Sequence, residues 1–95
     1  MREVYLTKEK QKAEDLLKKD DIVSRASITI RSTGSFDAKE EGVFIILEGS
    51  EEQMKRAEEL LKGIAEKYDK KDEILEKFDS EQDAAVQGFG NILGG

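Results

Sequence analysis

The chain has 95 residues, 40% of them Asp, Glu, Lys or Arg, and a net charge of −6; that length fits one domain. It contains no histidine, cysteine, tryptophan or proline, which excludes imidazole bases, thiolate nucleophiles and nitrogen or sulfur ligands for zinc, copper or iron–sulfur clusters. The acidic balance, with Lys and Arg interleaved among acids, argues against nucleic acid and anionic lipid as partners, and no stretch approaches the roughly 20 apolar residues of a membrane-spanning helix.

Arg2 to Leu6 reads as a short strand. The Thr7 hydroxyl is placed to cap a helix over about residues 8–19, whose narrow apolar stripe is Ala13, Leu16 and Leu17. Asp20 and Asp21 end it. From Ile22 the period changes to two. Ser24, Ala26, Ile28 and Ile30 face one way, and Val23, Arg25, Ser27, Thr29 and Arg31 the other, which predicts a half-solvated antiparallel strand. Ser32 to Ser35 is a turn or bulge, Phe36 is a candidate start for a short strand, and Lys39 to Gly42 is a second turn with Gly42 suited to a positive φ. Val43 to Leu47 is apolar at both parities, so it predicts a central strand buried on both faces.

Ser50 and Gln53 have the spacing of a capping box, and Glu51 and Glu52 suit the positive end of a helix dipole. Met54, Ala57, Leu60, Leu61, Ile64 and Tyr68 then predict a helix over about residues 51–67. Glu51–Lys55, Glu52–Arg56 and Glu58–Lys62 are its expected ion pairs. A break is expected near residues 68–70, with Asp69 as the cap of a third helix whose inward face is Ile74, Leu75 and Phe78. Ser80 can cap a fourth segment. There Val86, Phe89, Ile92 and Leu93 stand at helical spacing, punctuated by Gly88 and Gly90.

Asp37 to Glu48 carries some landmarks of an EF-hand calcium loop, with Gly42, Phe44 and Glu48 in register. Lys39 stands where a carboxylate should coordinate, and a strand follows where that motif needs a helix, so a turn between strands is predicted instead. A second acidic region holds Glu66, Asp69, Asp72, Glu73, Glu76, Asp79, Glu81 and Asp83 against Lys67, Lys70, Lys71 and Lys77. Asp69, Asp72, Glu76, Asp79, Glu81 and Asp83 are the candidate ligands for a hard cation, calcium or magnesium. The plainer reading is a solvated helix face. Every carboxylate pair that could run acid–base catalysis lies on an expected exposed helix, without the apolar pocket that raises a pKa. No catalytic residue is therefore assigned. Ser32-Thr33-Gly34-Ser35 lacks the spacing and lysine of a P-loop, and Tyr5, Phe36 and Phe44 lack the accompanying signature of an RNA-binding sheet.

The expected fold class is α+β: a mainly antiparallel sheet of three or four strands packed against two main helices, with additional C-terminal helical segments. The run of strand, helix, two strands and helix resembles part of a ferredoxin-like βαββαβ unit; no final strand is legible. Residues 1–84 form the expected domain. Residues 85–95 form an apolar tail expected to dock on the sheet or helices, because the second face of the strand at Val43–Leu47 needs cover. The charged N-terminal sequence predicts no signal peptide and a cytoplasmic location. High Lys and Glu without Cys resembles the composition of thermophile proteins. In size, acidity and the Glu66–Asp83 carboxylates the chain resembles small acidic uncharacterised archaeal proteins, including a methanogen type suggested to bind calcium. Two functions are carried forward. One is a non-catalytic interaction domain that binds a protein partner or itself and requires no cofactor. The other is a low-affinity calcium- or magnesium-binding protein using surface carboxylates.

Overall fold

The computed structural model describes residues 1–80. In chain order these form strand β1 (Arg2–Thr7), helix α1 (Lys10–Lys19), strand β2 (Ser27–Ser32), strand β3 (Val43–Glu48), helix α2 (Glu51–Leu61) and strand β4 (Glu66–Lys67), followed by a helix, α3, at residues 71–80. The strands make one antiparallel sheet in the order β2-β3-β1-β4. This is the α+β architecture expected, and its element order up to β4 is a complete βαββαβ unit. The final strand that no sequence pattern revealed is the pair Glu66–Lys67, which sits beside Leu6 and Tyr5.

Strand β3 is central, as its double apolar parity requires. Phe44 and Ile46 point to one face, Ile45 and Leu47 to the other, and all are buried. The first core lies under α1 and α2 and contains Tyr5, Ala13, Leu17, Val23, Ile45, Leu47, Met54, Ala57 and Leu61. The second lies on the opposite face, where Val4, Phe44 and Ile46 meet Phe36 and the α3 residues Ile74, Leu75 and Phe78. Phe44 stands at its centre, edge-on to Phe36 at 5.8 Å and tilted against Tyr68 at 4.8 Å, both within the range of favourable aromatic contact. The cover that the second face needs thus comes from α3. The Val86–Leu93 tail and its expected docking, like the domain boundary at residue 84, lie outside the described residues.

Several local expectations are corrected by tertiary contacts. Helix α1 starts at Lys10 with Glu9 at its N-cap, not with Thr7. The Thr7 side chain is drawn inward instead: its hydroxyl donates to the Ile64 carbonyl at 2.8 Å and accepts from the Glu9 amide at 3.0 Å. The expected strand at Ile22 begins only at Ser27, because Val23–Arg25 is a 3-10 turn. Its start is held by the Asp20 carboxylate, which accepts from the amides of Ile22 and Val23. The turn breaks the alternation and brings Val23 into the same core that Ile28 and Ile30 pack against. Phe36 ends a second 3-10 turn, Thr33–Phe36, and starts no strand.

The capping box at Ser50 and Gln53 forms in both directions. The helix it starts is shorter than its apolar stripe suggested. Lys62 leaves the helical region at ψ 125 and Gly63 takes φ +80, with the Ile64 amide returning to the Leu61 carbonyl, so the chain leaves α2 through a type II turn. Tyr68 is thereby carried around the sheet edge into the second core. Of the expected ion pairs on α2, Glu51–Lys55 is present at 3.3 Å. Arg56 turns to Asp20 at 2.9 Å and Glu59 at 3.4 Å, and Glu58 pairs with Lys67 at 3.4 Å.

Candidate functional site

The candidate cation ligands separate once folded. Asp69 lies in the turn before α3, and Asp72 and Glu76 are exposed on that helix. Asp79 faces the sheet, where its carboxylate accepts from the Arg2 guanidinium at 2.8 Å. Glu81 and Asp83 lie outside the described residues. An open cleft of about 710 Å³ does bring Glu76 near Asp37 and Glu73, with Ser35, Phe36, Lys77 and Ser80 as its other walls. Lys77 donates to the Phe36 carbonyl at 2.9 Å there, so a fixed cation already occupies part of that wall. Among the described residues no group of three or more acidic side chains is spaced to hold a metal ion. No described helix is long and apolar enough to cross a membrane.

Besides Arg2 and Arg56, raised by their carboxylate partners, four titratable groups are displaced from their ordinary behaviour. The Val23 amide first, then the Arg56 guanidinium, holds the Asp20 carboxyl below the usual carboxylate range. The Tyr68 hydroxyl beside Glu40 lowers that carboxyl and is itself raised. Burial, reinforced by Glu58 and Glu3, pushes the Tyr5 hydroxyl up to about 12. Each of these shifts favours the form already dominant near pH 7. None creates a group that exchanges protons there, which is what general acid–base chemistry needs.

The feature best able to engage another molecule is the outer edge of β2. The hydrogen-bond ladder fixes which backbone groups lie on that edge. Met1 and Gly49 exchange both of their backbone bonds, so the odd-numbered residues of β3 bond toward β1. Its even-numbered residues bond toward β2, in agreement with the Thr33 amide donating to the Gly42 carbonyl at 3.1 Å. In the observed register, Ser27, Thr29 and Arg31 are therefore the β2 residues bonded to β3. Ile28, Ile30 and Ser32 direct their N–H and C=O groups outward, with no further strand beyond them among the described residues.

The two sheet edges differ in kind. Strand β4 has two residues, both charged, which is how natural sheets blunt an edge. Strand β2 has six residues, Ser-Ile-Thr-Ile-Arg-Ser, rich in β-branched side chains and without Lys or Pro. On one face Ile28 and Ile30 are only partly buried against the first core. On the other stand Ser27, Thr29 and Arg31, the last already engaged within the chain. Period-two alternation made β2 visible in the sequence; its position at an edge depends on pairing partners that no local pattern encodes. Comparison with known proteins finds no matching family model, no matching curated protein and no matching solved structure.

Proposed function

We propose that this domain is a non-catalytic interaction module that binds an extended segment of a protein partner by strand addition at β2. The observation that carries the reading is the row of outward backbone groups at Ile28, Ile30 and Ser32, on an edge that lacks the brevity, lysine or proline that normally protects one. Main-chain hydrogen bonds from such an edge supply affinity, and alternate side chains of the guest strand supply selectivity. The half-buried Ile28 and Ile30 offer apolar contact on one face, and Ser27 and Thr29 offer small polar neighbours on the other.

Amide exchange followed by NMR tests this reading. In the protein alone, Thr29 and Arg31 amides should be protected and those of Ile28 and Ile30 should exchange fast. On titration with short extended peptides, a binding member of the panel should slow Ile28 and Ile30. Binding that leaves both amides unprotected would overturn strand addition. Ser32→Pro supplies the matched control. Ser32 already has φ −66, the value proline fixes, and its N–H is one of those directed outward. The variant should fold normally and bind the same peptides more weakly.

A further inference from the structure

Resting on the strand-addition reading, we propose that the segment received at β2 is acidic, with apolar residues alternating with Asp or Glu. The inference comes from where charge is absent. In a chain of net charge −6, no acidic residue occurs between Asp21 and Asp37, and the only charges in that interval are Arg25 and Arg31. The whole negative excess therefore belongs to the rest of the molecule, and β2, an outer edge among the described residues, is its locally basic strip. Arg31 already has a partner in the chain and is not counted as a vacant donor. Arg25 is exposed at the end of the 3-10 turn that leads into β2.

Sheet geometry then assigns the pattern of the guest. Residues opposite Ile28 and Ile30 lie on the face covered by α1 and α2 and meet apolar side chains. Residues opposite Ser27, Thr29 and Arg31 lie on the other face, where a carboxylate finds small hydroxyls and no acidic side chain on β2. Glu48, paired with Ser27 on the neighbouring strand, is an acid on that face. It stands about 9–10 Å from a guest strand, two strand spacings away, which is about one Debye length at physiological salt. Attraction from the adjacent strip is screened less than repulsion from the acidic body. A second copy of this chain is the poorer guest, because pairing β2 with itself gathers the arginines of both edges along one seam.

The test uses the full chain and three synthetic octapeptides that share one alternating apolar frame and carry Glu, Ser or Lys at the polar positions, titrated by two-dimensional amide NMR. The Glu peptide should shift Ile28 to Ser32 and bind roughly tenfold tighter than the Ser peptide, with the advantage shrinking as salt rises. Arg25→Glu should reduce that advantage several-fold while leaving Ser-peptide binding unchanged. Equal binding of all three at β2, or preference for the Lys peptide, would overturn acidic selection and leave strand addition standing. Failure of all three to perturb Ile28 to Ser32 would overturn both. Concentration-dependent shifts of the same amides without peptide would make a second copy the occupant and overturn the acidic guest.

Discussion

Gly42 shows how a single position controls the joint between β3 and the rest of the sheet. It has φ +128, and a Cβ there would overlap the Thr7 carbonyl oxygen, a backbone atom with no room to retreat. Gly42→Ala should therefore cost about 2 kcal/mol or more in chemical denaturation, combining backbone strain with the clash. Gly63 is the internal comparison: its φ is +80 but nothing lies within reach of an added Cβ, so Gly63→Ala should cost only about 1 kcal/mol. Asp20 acts through charge rather than shape. Its carboxyl is depressed by the Val23 amide and by Arg56, so the stability it contributes is present above the ordinary carboxylate pKa and is lost as pH falls through the depressed value. Asp20→Asn should lower Tm near pH 7. The difference from the native chain should close as pH falls through that depressed value, and a difference that persisted below it would show that shape, not charge, is what the substitution removed.

Elements rather than residues decide how the sheet is covered. Helix α3 presents Ile74, Leu75 and Phe78 to the second core, as its spacing predicts, and keeps Asp72, Glu73 and Glu76 in solvent. Ile74→Ala and Phe78→Ala should each cost about 3 kcal/mol, the range for emptying a large buried side chain. Asp72→Ala should change stability by no more than about 0.5 kcal/mol. A comparable loss from Asp72→Ala would mean that the carboxylate face, and not the apolar one, seats the helix. The end of α2 is marked in the sequence itself. Leu60 and Ile64 continue the helical period, but Gly63 between them is a stop signal, and its φ of +80 completes the turn that Lys62 opens at the helix end. Nothing comparable marks β4. Glu66 and Lys67 are exposed and charged, and only pairing with β1 makes them a strand.

At the scale of the molecule, the sheet is sandwiched between two apolar cores built without acidic side chains. The candidate cation ligands Asp69, Asp72, Glu76 and Asp79 lie outside both. Excess chelator should therefore leave far-UV circular dichroism and Tm unchanged, whereas loss of helix on chelation would make an ion part of the fold. A calcium or magnesium titration of the same sample reads the alternative function directly. Shifts concentrated at Asp69, Asp72 and Asp79 would support it, and silence there with shifts at Asp37 to Gly42 would move the site to the loop before β3.

The sequence by itself determined the features that a few neighbouring residues can specify. The double parity of Val43–Leu47 demanded a central strand, Ser50 and Gln53 started a helix, Gly42 marked a positive φ, and Ile28 with Ile30 marked an inward strand face. Each is a matter of local sterics, reciprocal hydrogen bonds or periodic burial. Tertiary structure alone decided what Thr7 bonds to, where Tyr68 packs, which carboxylate Arg56 meets, that Glu66–Lys67 completes the sheet, and that β2 stands at its edge. Those outcomes depend on partners distant in the chain, and pairing energies between distant residues leave no periodic trace in either segment.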